Sequence, residues 1–406
     1  MKFRTLKLNS VILFIFFIAG CSDKTFIAEN GELAFPEDTR INQIQVLGTH
    51  NSYSLPADQR VLDYLEPIYK QMSAGYFENL SEDEKKKYLE FHPNKVTLTE
   101  VLSYDHPDFK EQLDQGIRSL EIDVYYDPTG DRFTHPASYQ LLKQKGEDNF
   151  LPYDVEALKE PGFKVLHIPD IDFRTHYTTF KQALTELKNW SEKNPSHVPI
   201  FIMIEAKDKG IPLFPNSSEV LPFDKEAFKR LDEEIVSVIG KEKVITPDMV
   251  QGNFSTLKDA VLANNWPKVS ESLGKFVFLL LPSTAGLSDE NAYTDHSKLQ
   301  GKIMFVQSKS DDEYAAFLLL DNAIQRKAEI EEAVKMGYLV RTRADIDTYE
   351  AKINDKKRAT AAFNSGAQVV STDYFKPGNA YGTEYFVELP SGKPARINPL
   401  FFTDKL

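Results

Sequence analysis

Ser119-Leu120-Glu121-Ile122-Asp123-Val124-Tyr125-Tyr126-Asp127 alternates aliphatic and acidic residues. In a strand, Glu121 and Asp123 then share one face while Leu120, Ile122 and Val124 take the other. Two carboxylates on a face turned into a protein lose hydration and repel each other, which is costly unless a cation or partner compensates. A structural ion pair with a nearby Arg or Lys is the plainer alternative to a metal. Three other segments have the same build, an apolar strand-like run with polar groups at or just past its end. They are VLGTHNSY (46–53), with His50 and Asn51; KVLHIPD (164–170), with His167; and IFIMIEAKD (200–208), with Glu205. In open or closed α/β sheets, ligand sites assemble at those ends.

Strand-like runs fall at 44–47, 120–125, 164–168, 199–205, 276–281, 303–306, 338–341 and 368–371, and helical patterns at 178–193, 225–239, 322–336 and 349–365. Alternating strands and helices argue for a parallel α/β sheet, and eight strands are the number that closes a TIM-type (β/α)8 barrel. Residues 55–115 are too long for a plain crossover. They are Tyr-rich and helical in pattern at 80–91, and so predict a helical insertion near the site. We therefore expect one catalytic barrel domain over 41–406, preceded by a polar tether at 21–40 and a leader at 1–20.

The chain has 406 residues, 41% of them hydrophobic and 27% charged, as a globular protein with a large core should. Its formal charge is −13, and loss of the leader with Lys2, Arg4 and Lys7 takes it near −16. Such a chain has no general attraction for nucleic acid or an anionic membrane, so a negative substrate must be captured locally. In the leader, basic residues precede an apolar run at 11–19 that is too short to span a bilayer. It ends in Ile18-Ala19-Gly20-Cys21, which resembles a bacterial lipoprotein box. Cys21 is the only cysteine, so it is better explained as a lipidated anchor than as half of a disulfide. Cell-envelope localisation follows as an expectation, and Ser22 mildly favours the outer membrane.

Three carboxylates (Glu121, Asp123, Glu205) and the Asn51 amide form a hard oxygen set. It suits calcium better than zinc or copper, with magnesium the second choice. His50 and His167 lie outside that set at the same expected rim. A single histidine is usually structural, but two beside an acid cluster point to proton handling. Cleavage of a phosphodiester needs one group to stabilise charge on the non-bridging oxygens and another to protonate the departing alkoxide.

These residues resemble the calcium-dependent phosphatidylinositol-specific phospholipases C, in particular their bacterial secreted branch, within the larger group of barrel phosphodiesterases. The likeness runs from about Ile41 to Phe375. It is densest in VLGTHNSY, in the stretch from Ser103 to Pro136, and in KVLHIPDIDF. The order also agrees: His-Asn, Glu-x-Asp, His, Glu. The resemblance implies that Asn51, Glu121, Asp123 and Glu205 bind calcium, that His50 stabilises the pentavalent phosphate, and that His167 is the general acid. It implies a ring hydroxyl as first nucleophile, a cyclic phosphate product, and Glu121 or Glu205 as base. The expected partners are a phospholipid or other phosphodiester and, through Cys21, a membrane.

Lys207, Arg341, Arg343 and Asp373 are further candidates for substrate binding. A solvated lysine is the plainer reading of Lys207, and Arg341 and Arg343 could instead pair with Asp345. His106 and His135 fall in family-like stretches without an assigned chemical role. A glycerophosphodiester phosphodiesterase would share the barrel, but that family opens with His-Arg-Gly where this chain has His50-Asn51-Ser52. A lipid-anchored binding protein without turnover is the alternative from another class.

Overall fold

The β-branched, aliphatic and aromatic runs become strands, as their fit to a pleated buried surface predicts. The structure, a computed structural model, describes residues 25–281, 290–294 and 298–401; the expected leader and Cys21 lie outside them. Twelve strands occur among the described residues: β1 (Thr25–Ala28), β2 (Leu33–Pro36), β3 (Ile44–Thr49), β4 (Ser119–Asp127), β5 (Gly162–Val165), β6 (Ile200–Ala206), β7 (Phe276–Leu281), β8 (Phe305–Val306), β9 (Phe317–Leu319), β10 (Leu339–Arg343), β11 (Val369–Thr372) and β12 (Ala395–Ile397). Eight are parallel neighbours in the order β8-β7-β6-β4-β3-β11-β10-β9. The two ends of that path meet at one parallel bridge, Gln307 to Phe317, so the sheet curls into a nearly closed (β/α)8 barrel.

Helices Phe180–Lys193 and Lys225–Ile239 cover one side and are sharply started. Thr179 and Gln182 form a capping box, and Asp224 accepts from the Ala227 amide. Their apolar stripes, Phe180, Ala183, Leu184 and Leu187 on one and Phe228, Leu231 and Ile235 on the other, are buried in the main core. Gly48 sets the close approach of β3 to β4, which pair only at Gly48 and Ser119. A Cβ there would lie 2.7 Å from the Ser119 Cβ. The lower half of β3 is occupied instead by the antiparallel β12.

The eight-strand expectation holds, but one member is exchanged. Residues 164–168 were expected as a barrel strand, whereas β5 pairs antiparallel with β4, Val124 opposite Val165, off the barrel path. A parallel return needs a crossover helix laid on the sheet. The helices after β4, Ala137–Gln144 and Val155–Leu158, instead bury Tyr139, Leu142 and Leu158 in a second, smaller core. The missing barrel strand is β9, whose three residues are too few to show a period.

That second core also receives the insertion. Helix α1 (Gln59–Asn79) buries Val61, Leu62 and Leu65 there, while Met72 and Tyr76 farther along are 49% and 61% exposed. Helix α2 (Glu82–Phe91) follows, started by a Ser81–Glu84 capping box. The last part of the 55–115 stretch, helix Phe109–Asp114, packs on Phe180–Lys193 as an ordinary barrel helix. No helix among the described residues is long and apolar enough to cross a membrane.

From Thr25 onward the expected tether is folded. β1 and β2 form an antiparallel hairpin, and the turn between them carries the buried Glu29. Its carboxylate receives both Nε and Nη2 of the buried Arg118, at 2.8 and 2.6 Å, and the Val198 amide at 2.8 Å. Arg118 directly precedes β4 and Val198 lies two residues before β6, so the hairpin caps the N-terminal end of the barrel. A short polar stretch hid this because its anchor is one charged residue rather than an apolar run. Glu29→Ala leaves Arg118 buried and unpaired, so urea unfolding should show a loss of about 3–5 kcal/mol. A change under about 1 kcal/mol would mean that the hairpin contributes little.

Candidate active site

Parallel register places Asp123 of β4 directly beside Glu205 of β6, with Glu121 one pleat earlier on the same face. Oxygens of the three carboxylates lie within 4.8 Å of one another, and all three residues are buried. Two cations face them from inside the barrel. Arg341 on β10 donates to Glu121 at 2.8 Å, to Asp321 at 2.6 Å and to the Ser371 hydroxyl at 3.1 Å. The Lys207 ammonium lies 3.1 Å from Asp123 and 2.9 Å from Glu205. Burial pushes the Glu121 carboxyl up to about 8 against the pull of Arg341, and Asp123 up to about 6 against the pull of Lys207. Neither Asp123 oxygen receives a well-directed hydrogen bond.

The turn after β3 is stapled to this floor. The Ser52 amide donates to the Glu121 carbonyl at 3.0 Å, and the Ser52 hydroxyl accepts from the Glu121 amide at 2.8 Å. Asn51 takes a left-handed backbone, φ 45°, which asparagine tolerates better than most residues. Its amide nitrogen donates to Tyr104 at 2.6 Å, while its oxygen receives only a 3.4 Å contact from the Tyr53 hydroxyl. That oxygen keeps lone-pair capacity. With three carboxylates clustered beside it, the set of oxygens fits a hard divalent cation.

Each histidine is held by a carboxylate through Nδ1, His50 by Asp373 and His167 by Asp172, both at 2.8 Å. Burial and the nearby Arg343 guanidinium take His50 down to about 3, so its ring is neutral. The Nδ1–H points at Asp373, and Nε2 is left 3.7 Å from Glu121. Asp373 is held down to about 2; burial opposes this, but His50 and Arg343 outweigh it. His106 donates from Nε2 to the His50 carbonyl at 2.8 Å. His167 stands just past β5 at the start of a tight loop, in which Ile168 and Asp172 exchange two backbone hydrogen bonds of 2.9 Å. The Tyr125 hydroxyl donates to the His167 carbonyl at 2.8 Å. The histidine side chains are 19% and 18% exposed and the three carboxylates 0–9%. The acids are the floor of the site and the imidazoles its rim.

All six expected metal and catalytic residues therefore lie around one end of the barrel. The residues expected to contact substrate are paired with one another and with the acid floor. Lys207 is buried between two carboxylates rather than solvated. Arg341 pairs with Glu121 and Asp321, and Arg343 with Asp373, not with Asp345. Asp345 instead accepts from the Thr372 hydroxyl, the Asp373 amide and the Tyr385 hydroxyl. Asp373 pairs with both His50 and Arg343. His135 is exposed. Sequence reading missed Asp172, Asp321 and Tyr104. Of these only Asp172, five residues after His167 in a turn-like IPDID, carried a local signal.

Residues 39–399 match the family model described as phosphoinositide phospholipase C, Ca2+-dependent. The fold is similar to that of a calcium-dependent phosphoinositol-specific phospholipase C from the Gram-negative bacterium Pseudomonas sp. The two share 15% identity at a TM-score of 0.50, over 89% of this chain and 96% of that one. A calcium-dependent phosphatidylinositol-specific phospholipase C from Streptomyces antibioticus aligns at 16% identity and a TM-score of 0.48, over 82% of this chain and 95% of that one. No curated protein sequence matches the chain. Protons held on Glu121 and Asp123, at about 8 and about 6, compete with a cation for the same oxygens. Affinity for a hard divalent cation, read by calorimetry with calcium chloride, should therefore rise about tenfold or more between pH 6 and pH 8, with proton release at the lower pH. A flat affinity would remove these carboxylates from the ligand set.

Proposed function

This chain belongs to the Ca2+-dependent phosphoinositide phospholipase C family and is a phosphodiesterase; from that premise we propose that it cleaves phosphatidylinositol-like phosphodiesters through a cyclic phosphate. Asn51, Glu121, Asp123 and Glu205 would hold the calcium. When bound, that ion supplies positive charge beside the phosphate and acidifies the attacking hydroxyl. A ring hydroxyl gives its proton to Glu121 or Glu205 and forms the new P–O bond. His167 gives its proton to the departing glycerol oxygen as the old P–O bond breaks. A bound phosphate's negative charge favours a second proton on His50, whose Nε2–H, with the flanking Arg343 guanidinium, then steadies the charge on the non-bridging oxygens.

The observation that carries this reading is the matched pair of histidines, each held through Nδ1 by a carboxylate at 2.8 Å beside one buried acid cluster. Nε2 of His167 has no hydrogen-bond partner among the described residues, which supports a role for it toward substrate. Phosphorus NMR with phosphatidylinositol should give a cyclic inositol phosphate signal with calcium and none with chelator. In the same assay, His167→Ala should lose far more activity on the lipid than on an analogue with an activated phenol leaving group. Equal losses would remove His167 as the acid. Glycerol phosphate released from glycerophosphodiesters, without a cyclic product, would move the protein to that other phosphodiesterase class.

The proposed setting is the cell envelope, with Cys21 carrying lipid. Cys21→Ser should then move the protein from the membrane fraction to the soluble one. Retention on the membrane would point to an uncleaved leader.

A further inference from the structure

Charge compensation of the acid floor is divided unequally. Glu121 has Arg341, whose guanidinium is also tied to Asp321 and Ser371 and so is fixed on all sides. Asp123 and Glu205 both pair with the ammonium of Lys207, at 3.1 and 2.9 Å. This lysine directly follows the last residue of β6, and its backbone amide donates to the Val124 carbonyl at 2.9 Å. Its Cα is therefore locked to β4, and only the four-carbon stem can move. The residue is 5% exposed, so the ammonium has exchanged most of its water for two carboxylates. A hard cation held by Asp123 and Glu205 would need the oxygens that the ammonium now faces. Both charges at full strength within a few ångströms of one another, in a poorly hydrated pocket, would repel strongly.

We propose that Lys207 is an internal counter-ion that holds Asp123 and Glu205 together in the cation-free protein, competes with calcium for them, and so sets the calcium concentration at which the enzyme becomes competent. The proposal rests on the reading that Asn51, Glu121, Asp123 and Glu205 form the calcium site. It assigns Lys207 a positioning role toward the metal ligands, in place of the substrate contact expected from sequence. Arg341 cannot do the same work, because its donors are distributed over three partners and its planar head does not reorient on a flexible stem as an ammonium does.

The test is calorimetric titration of calcium chloride into the wild-type protein and into Lys207→Met, which keeps the length of the stem and removes the charge. Thermal unfolding of both is recorded with chelator and with saturating calcium. Lys207→Met should bind calcium about tenfold or more tightly than wild type, since a buried like charge next to the ion has gone. It should melt several degrees lower in chelator, where two buried carboxylates are left facing each other, and calcium should close most of that gap. Calcium affinity equal to or weaker than that of wild type would overturn the proposal while leaving the calcium site standing. Absence of calcium binding in both proteins would overturn the calcium site and the proposal together. Should Lys207→Met fail to fold under either condition, Lys207→Gln decides by the same two comparisons, because its amide can still donate to a carboxylate without carrying charge.

Discussion

Three carboxylates packed within 4.8 Å of one another inside a barrel are the constraint around which this protein is arranged. Left alone they would either take up protons or force the strands apart. Arg341 reaches them from β10 and Lys207 from the end of β6, so the charge balance is met from two sides of the barrel. The tight β3–β4 contact at Gly48 belongs to the same arrangement. It brings the turn carrying His50 and Asn51 against the strand carrying Glu121 and Asp123, and Ser52 pins the two together.

Around that floor, chemistry is assigned by leashes of one length. A carboxylate at 2.8 Å fixes the tautomer of each imidazole and frees the other nitrogen. The two leashes are built differently. Asp373 is the residue after β11, so the His50 pair is part of the barrel wall. The His167 pair is carried on an antiparallel ribbon and a five-residue loop outside it. Asp170, in a left-handed conformation within that loop, accepts from the Ala137 and Ser218 amides and stiffens the ribbon against its neighbours.

Alternating acid and aliphatic residues at 119–127, and apolar runs ending in His or Glu, made the barrel and the six central residues legible in the sequence. Period-2 alternation reports which face a residue takes, and strand ends report where a site forms. Neither reports strand direction, so 164–168 was read as a barrel member when it is an antiparallel branch. Nor does a run of three residues such as Phe317–Leu319 carry a period. Long-range ion pairs are silent altogether. Nothing local distinguishes Glu29 of a polar tether from a solvated acid, or Lys207 from a surface lysine, yet both are buried against partners distant in the chain or across a strand pair. Asp321 and Tyr104 escaped notice for the same reason.

The hairpin at the N-terminal end of the barrel bears on where the enzyme can work. Only residues 22–24 lie between Cys21 and β1, a reach of about 3.5 Å per residue at full extension. The hairpin is fastened at Arg118 and Val198, below the strands, and the carboxylate floor opens above them. A lipid on Cys21 would seat the barrel foot-down on its own bilayer with the mouth turned outward. If Cys21 carries lipid as proposed, the anchoring leaflet would be the surface the mouth faces least, and a phosphodiester offered from across the gap would be the one it meets most directly.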